Sequence, residues 1–305
     1  MRIRFSSLLN TDFLVFLFFV FAAGLAGCGD SGSPAGVIAP TAPSPVGSVP
    51  SPVTGGEWIK GTVSDSGLRP IAGARVELLD GPQAGLSAIT DARGQFSLFG
   101  TVDDTTRFRA SREGHVTAER TVMPNCDRCN PRRWVHFYLD VLDAPVAIAG
   151  DYTLTFIADS ACTNLPAELR TRTYETTVAL GDFGWWGFPP RAPTSFEVTP
   201  KGLAFPDGLN FFWLNVAGNF IAIVLGDHTD PGLTERVAED TYFAYNGWAE
   251  VSVEAPVSTI SARFQGWIDR CVNPNMGTRY DCTPGPAVTR TRCDSTNHQL
   301  ILTRH

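Results

Sequence analysis

The sequence has little positive charge and almost no lysine. Of its 305 residues, 24 are Lys or Arg and 31 are Asp or Glu, which gives a formal net charge of −7. Only two of the basic residues are lysines, Lys60 and Lys201. Proteins that bind nucleic acids cluster positive charge where they contact phosphates. The composition therefore argues against a nucleic-acid partner.

The sequence also lacks the motifs of common enzyme and metal sites. Its five histidines are scattered and none lies in an HExxH spacing. It contains no GxSxG nucleophile elbow and no phosphate-binding loop. Segment 227–230, Asp-His-Thr-Asp, has side chains that can bind metals, but Pro231 and Gly232 follow it, which is typical of a polar turn. We therefore predict no enzyme, no cofactor and no metal site.

The apolar run near the start of the chain is too short to span a bilayer. Phe13–Leu25 has 13 uncharged residues, whereas a transmembrane helix needs about 20. It follows a basic start and ends in Leu25-Ala26-Gly27-Cys28, the order of a cleaved signal peptide. This tetrapeptide resembles the lipobox of bacterial lipoproteins. The resemblance implies that residues 1–27 are removed and that Cys28 carries the lipid. The alternative is an ordinary cleaved signal with an incidental cysteine.

Residues 28–56 have the composition of a tether. The segment after Cys28 contains six Pro, six Gly and five Ser, and its one charged residue is Asp30. Such a segment cannot bury enough apolar surface to offset its ordering entropy. In Gram-negative lipoproteins an Asp directly after the cysteine is the usual signal for inner-membrane retention, and here Gly29 stands there. The resemblance therefore implies an outer-membrane lipoprotein, whose membrane contact is its own N-terminal lipid.

Residues 57–143 have the pattern of a β-sandwich. About seven short strands alternate with turn signals, and 29 Gly, 22 Pro and 20 Phe in the whole chain also favour a β-rich protein. Three spaced motifs occur in order: Gly61-x-Val63-x-Asp65-x-Gly67, Pro70-x-x-Gly73-Ala74-x-Val76 and Thr90-Asp91-x-x-Gly94-x-Phe96. Together they resemble the carboxypeptidase regulatory-like domain, although His115 stands where that family usually has Tyr. The resemblance implies a transthyretin-like sandwich, grouped with starch-binding-like folds, that acts as a non-catalytic module.

Residues 146–305 are predicted to form a second all-β domain, a barrel or a second sandwich. Eight or nine strands alternate in hydrophobicity, from an opening strand at 151–158 to a closing strand at 299–304. A short helical turn is expected at 164–169, and Asn246-Gly247 is a hairpin signal that predicts two strands within 241–253. The order of opening strand, short helix and closing strand resembles a lipocalin-like barrel. The predicted fold class is therefore all-β, a transthyretin-like sandwich followed by a barrel-like domain.

Six cysteines remain after Cys28, and an exported protein sits where disulfides persist. Two of them form the motif Cys126-x-x-Cys129. Such a pair can also be redox-active or bind metal, but Asn-Pro follows this pair and no further metal ligands lie nearby in the sequence. Local spacing predicts two bonds, and the closing of a barrel by its first and last strands predicts the third. The predicted bonds are Cys126–Cys129, Cys271–Cys282 and Cys162–Cys293.

An aromatic segment in the second domain is the candidate ligand site. Phe183, Trp185, Trp186 and Phe188 are flanked by glycine and proline and show no strand periodicity. Buried aromatic residues dominate protein cores, so these residues are predicted to plug one end of the barrel, or alternatively to stack against a sugar or an apolar ligand. The leading hypothesis is a non-catalytic surface lipoprotein that binds an extracellular ligand, with carbohydrate as the first candidate. The alternative is a structural or assembly protein of the cell envelope with a filled barrel.

Overall fold

The computed structural model describes residues 56–103, 105–121, 134–181, 194–202, 210–226, 231–277 and 280–305. These residues form sixteen strands and one short helix. In chain order they are β1 (Glu57–Asp65), β2 (Arg75–Leu78), β3 (Ser87–Ile89), β4 (Gln95–Gly100), β5 (Arg107–Ser111), β6 (Ala118–Thr121), β7 (Trp134–Leu139), β8 (Gly150–Ile157), α1 (Ala167–Arg170), β9 (Thr171–Leu180), β10 (Ser195–Pro200), β11 (Phe212–Ala217), β12 (Phe220–Leu225), β13 (Leu233–Ala238), β14 (Thr241–Ser252), β15 (Thr259–Val272) and β16 (Thr289–Arg304). Within these ranges no helix is long and apolar enough to cross a membrane.

The first seven strands form two facing sheets, which confirms the predicted β-sandwich. One sheet has the order β4–β1–β7 and the other β3–β2–β5–β6. β1 is antiparallel to β4 and parallel to β7. Alternate residues of both sheets are buried between them, including Phe108 and Phe137, which are fully buried. This alternation is the period-two pattern from which the strands were predicted.

Gly61 allows the centre of the first sheet to pack. It pairs with Phe96 of β4 and Val135 of β7. A Cβ atom at this position would lie 1.9 Å from the Val135 carbonyl oxygen and 2.6 Å from the Phe96 ring. Both distances are too short for any real contact, so only glycine fits. The first glycine of the sequence motif is therefore needed for strand packing.

The strands from β8 onward close into an eight-stranded antiparallel barrel, as predicted for the second domain. β8 to β12 pair in sequence order, β12 pairs with β14, and β14, β15 and β16 lead back to β8. β13 pairs with the first half of β14 as a ninth strand beside the closed ring. Such closure removes exposed sheet edges.

Side chains fill the barrel at the level of Phe156. Its ring stacks on Tyr245 with ring centroids 4.2 Å apart and an interplanar angle of 17°. Phe212 and Phe264 lie against the same ring at centroid distances of 6.4 and 6.0 Å. All four side chains are at most 1% exposed. The space that a hollow barrel would offer to a ligand is occupied here by aromatic side chains.

The prediction of two strands within residues 241–253 is wrong, because β14 is continuous across Asn246-Gly247. The first half of β14 pairs with β13 and the second half, from Gly247, pairs with β12. Gly247 lies opposite Gly266 of β15, and a Cβ on Gly247 would lie 2.6 Å from the Gln265 carbonyl oxygen. The glycine therefore permits a close approach of β14 and β15 where β14 changes its neighbour.

Two disulfide bonds lie at the end of the barrel that carries α1. Cys162 bonds to Cys293 with a Cα–Cα distance of 5.7 Å, and Cys271 bonds to Cys282 with a Cα–Cα distance of 5.8 Å. The first bond joins the chain just after β8 to β16, and these two strands are neighbours in the closed ring. The second bond holds the excursion between β15 and β16. Both are pairings that the sequence predicts for this domain.

Candidate functional site

The outer face of the β4–β1–β7 sheet carries aromatic and polar side chains. Because Ile59, Gly61 and Val63 of β1 are buried, the residues that alternate with them point away from the core. The outward positions of the three strands are Trp58, Lys60, Thr62 and Ser64 in β1, Gln95, Ser97 and Phe99 in β4, and Trp134, His136 and Tyr138 in β7. We call this set of residues the aromatic face. None of its members is Asp or Glu.

Trp58 and Phe99 form an exposed aromatic pair at one end of the aromatic face. They lie directly opposite each other on β1 and β4. Their ring centroids are 5.4 Å apart at an interplanar angle of 65°, an edge-to-face contact. Trp58 is 55% exposed and Phe99 is 45% exposed. Exposed apolar groups that cluster on one surface mark interaction sites more often than isolated ones do.

The other end of the aromatic face is polar and partly buried. Thr62 and His136 lie opposite each other on β1 and β7, and the Thr62 hydroxyl is hydrogen-bonded to Nδ1 of His136. Burial, helped by the charge of Arg120, lowers the pKa of His136 to about 4, so the ring is neutral at pH 7. The tautomer in which Nδ1 accepts the Thr62 proton has its N–H at Nε2. That nitrogen and the Ser64 hydroxyl oxygen are buried and have no hydrogen-bond partner among the described residues.

A cleft of about 220 Å³ lies at this polar end, lined in part by Thr62, Ser64, His136, Tyr138 and Arg93. The rings of His136 and Tyr138 are in edge contact, with centroids 4.3 Å apart. Unsatisfied buried polar atoms are costly, and the two found here belong to Ser64 and His136, which line the cleft.

Two cations on this side of the sandwich are exposed. In the described ranges, neither the Lys60 ammonium nor the Arg93 guanidinium has a hydrogen-bond or ion-pair partner. Arg93 is held in place through its backbone, because its amide donates to Asp91 Oδ1 at 2.8 Å. The outward positions of the three strands hold no carboxylate, although Asp91 lies beside Arg93.

The chemistry of this surface is that of binding. Rings are available for stacking, and hydroxyl, imidazole, amide and cationic groups are available for hydrogen bonds. Thr62 and His136 bring a hydroxyl and a base together, but in the described part of the chain Nε2 of His136 has no partner that would orient the ring as a base. Across the described residues there is no group of three or more His, Cys, Asp or Glu side chains that could hold a metal.

The structure does not describe several residues that the sequence singled out. The lipidation site Cys28, the predicted Cys126–Cys129 pair, the aromatic segment 183–188 and the turn 227–230 lie outside the described residues. The aromatic face was not predicted as a site. Its signal is nevertheless in the sequence, because the alternation of β1 and β4 places Trp58 and Phe99, two large aromatic residues, at outward positions.

Comparison with known proteins supports the sandwich. Residues 58–127 match the carboxypeptidase regulatory-like domain family. This confirms the resemblance carried by the three motifs, and the chain therefore contains a domain of a non-catalytic type. No curated protein matches the chain.

One similar solved structure is a crystal structure from Bacteroides fragilis NCTC 9343, described as a candidate membrane-associated protein of unknown function. The match covers 82% of this chain and 98% of that one, with 10% identity and a TM-score of 0.21. A score this low carries no argument about the fold or function of the present chain.

Proposed function

We propose that the protein is a non-catalytic lipoprotein of the cell envelope that binds a glycan chain on the aromatic face. The observation that carries the proposal is the exposed Trp58–Phe99 pair, which lies on the same sheet face as a polar cleft. The C–H surface of a sugar ring stacks on aromatic side chains, and its hydroxyls donate and accept hydrogen bonds. The two ends of the aromatic face offer these two kinds of contact.

The charges favour a glycan that carries acidic groups. Lys60 and Arg93 have no partner in the described part of the chain, and the outward positions of the three strands contain no carboxylate. An anionic chain would be attracted to this surface at range, even though the whole protein is acidic. A neutral glycan would gain only the stacking and hydrogen bonds.

The N-terminal segment supports an envelope location. Leu25–Cys28 has the order of a lipobox, and acyl chains on Cys28 would anchor the protein at about 0.8 kcal/mol per buried methylene. The Pro-rich segment that follows would separate the sandwich from the membrane, because such chains extend by about 3.1 Å per residue. Gly29 after the cysteine favours the outer membrane.

Binding to an array of neutral and acidic polysaccharides tests the proposal, with the chain produced from residue 29 onward without lipid. We expect an acidic polysaccharide to be retained. Combining Trp58→Ala with Phe99→Ala should weaken its binding roughly 30-fold, since two stacked rings contribute about 1 kcal/mol each. Trp248→Ala is the matched control, because Trp248 is 37% exposed on the barrel and should leave binding unchanged.

Two results would contradict glycan binding at the aromatic face. One is an array on which no glycan retains the wild-type chain. The other is a double variant that folds normally, by its melting temperature, and binds as tightly as the wild type. Both rings are about half exposed, so the double variant is expected to keep its fold.

A structural role in the envelope is the second candidate, and the filled barrel favours it. The stack of Phe156 on Tyr245 leaves the barrel solid at that level. A scaffold needs a stable barrel and no glycan. The two candidates are separated by deleting the gene and complementing the deletion with the Trp58→Ala, Phe99→Ala variant. If the protein is a scaffold, this variant restores envelope integrity although it does not bind glycan.

A further inference from the structure

A second cleft lies at the end of the barrel that carries α1. Its volume is about 480 Å³, and its lining includes three arginines and two glutamates. The arginines are Arg172, Arg236 and Arg270, and the glutamates are Glu168 and Glu235. The aromatic face belongs to the sandwich, so this cleft, which we call the barrel mouth, is a separate site.

The floor of the barrel mouth is a buried hydrogen-bond chain. Tyr174 donates its hydroxyl proton to Glu235 Oε2 at 2.8 Å. Since that proton is used, the 3.2 Å contact between the two tyrosine oxygens is donated by Tyr245. Burial raises the pKa of both phenols, so both stay protonated. The chain fixes the position of the Glu235 carboxylate from below.

Glu235 in turn fixes Arg172. The Nε atom of Arg172 donates to Glu235 Oε2 at 3.1 Å, and its terminal nitrogen pairs with Oε1. The same guanidinium lies 5.5 Å from the centre of the Phe243 ring. A guanidinium held on one edge by a carboxylate and against one face by a ring is preorganised, so little rotamer entropy would be lost when a ligand binds.

Arg236 is also committed to the protein. Its Nε donates to the Glu239 carbonyl oxygen at 3.0 Å, and a terminal nitrogen binds the same oxygen. Its charge remains in the cleft, because carbonyl oxygens satisfy its donors without neutralising it.

Arg270 differs from the other two arginines. It lies directly opposite Phe243 on neighbouring strands, which places both side chains on the face of β15 and β14 that turns to the barrel mouth. Phe243 is 2% exposed, whereas Arg270 is partly buried. In the described ranges Arg270 has no hydrogen-bond or ion-pair partner. A half-buried guanidinium with five unpaired donors is suited to bind an oxyanion.

We propose that the barrel mouth binds a carboxylate group, with Arg270 as its principal partner. Arg172, whose charge is offset by Glu235, contributes N–H donors held in a fixed position. Phe243 is an apolar residue of the same lining. Glu168, on the rim, opposes an anionic ligand by like-charge repulsion. The carboxylate could belong to a small organic acid or to an acidic sugar, and both supply the same group to Arg270.

Calorimetric titration of the unlipidated chain with three probes tests this proposal. D-galacturonate carries the carboxylate on a sugar ring, D-lactate carries it without the ring, and D-galactose has the ring without the carboxylate. We expect galacturonate to bind and galactose not to bind. Binding of lactate as well would identify the site as one for simple organic acids, and failure of lactate alone would identify it as one for acidic sugars.

Variants at the barrel mouth assign the binding. Arg270→Gln should weaken galacturonate binding at least tenfold, and Glu168→Gln should strengthen it severalfold by removing the repulsion. Arg263→Gln, an exposed arginine on the same strand without a partner in the described ranges, is the control and should have no effect. Trp58→Ala should also leave galacturonate binding at this site unchanged.

Three outcomes would overturn the proposal. They are galactose binding as tightly as galacturonate, absence of binding by both acids, and equal binding by wild type and folded Arg270→Gln. Glu168→Gln provides an independent test if Arg270→Gln fails to fold, because Glu168 is exposed. Unchanged or weaker galacturonate binding in Glu168→Gln would then contradict the proposed site.

Discussion

Removing the Cys162–Cys293 bond should destabilise the barrel more than removing the Cys271–Cys282 bond. The first closes a loop over a sequence separation of 131 residues and the second over a separation of 11. In the chain-entropy description, the constraint on the unfolded chain grows with the logarithm of loop length. The two bonds then contribute about 5 and about 3 kcal/mol to the free energy of unfolding.

The comparison needs two variants, each with one cysteine pair replaced by alanine. Cys162, Cys271 and Cys282 are all at most 5% exposed, whereas Cys293 is partly exposed, so side-chain truncation alone would not produce the expected order. For a domain of this size, 1 kcal/mol shifts the melting temperature by about 2–4 °C. We therefore expect the variant without Cys162–Cys293 to melt about 4–8 °C below the variant without Cys271–Cys282, by circular dichroism under non-reducing conditions. Equal melting temperatures, or the reverse order, would refute the role assigned to barrel closure.

Three other predictions concern the sandwich, the barrel and the anchor. The pKa of His136 is lowered from 6.5 to about 4, so below pH 6.5 the unfolded state binds a proton that the folded state does not. The free energy of unfolding should therefore fall by about 3 kcal/mol, from this group, as the pH falls from about 6.5 to about 4. Urea unfolding of His136→Asn should show a smaller loss over that range. An identical loss would exclude His136 as the source of the pH dependence. Phe156→Ala removes the ring at the centre of the barrel stack and should lower the free energy of unfolding by about 3–5 kcal/mol in the same assay. A loss under 1 kcal/mol would mean that this stack does not stabilise the barrel. Cys28→Ser should release the protein from the membrane fraction, and wild-type protein without acyl mass at its N-terminus would show that the anchor is absent.

Alternation and turn chemistry were sufficient to predict most of the fold. The strands of the sandwich alternate strictly, as in β4, where buried and exposed residues follow one another without interruption. Barrel closure and the Cys162–Cys293 bond followed from the expectation that the first and last strands are neighbours, and β8 and β16 do pair. These features are local, or depend on strand order alone.

The elements that the sequence did not predict depend on tertiary pairing. β13 gives no alternation signal, because its second half, Arg236–Ala238, is exposed throughout. The first half of β16 was missed because residues 289–297 are polar and mostly half-buried, and they are held as a strand by pairing with β15 and by the ion pair of Arg290 with Asp269. Asn246-Gly247 was wrongly predicted to be a hairpin turn, because glycine is typical both of such turns and of places where two strands approach closely.

The two candidate sites differ in how far sequence could predict them. The exposed positions of Trp58 and Phe99 follow from local alternation, but their contact across β1 and β4 requires the register. The barrel mouth brings together residues 172, 235 and 270, which are far apart in the chain and meet only because the barrel closes. No local pattern marks Arg270 as different from the other arginines of the domain.

Nuclear magnetic resonance provides the most direct test of glycan binding by the sandwich. The indole N–H signals of Trp58, Trp134 and Trp248 would be followed while the polysaccharide retained on the array is added to the unlipidated chain. Trp58 and Trp134 lie on the aromatic face, and Trp248 lies on the barrel. We expect the signals of Trp58 and Trp134 to shift in a saturable way and that of Trp248 to stay in place. A saturable shift of Trp248 without a shift of Trp58 would contradict glycan binding at the aromatic face.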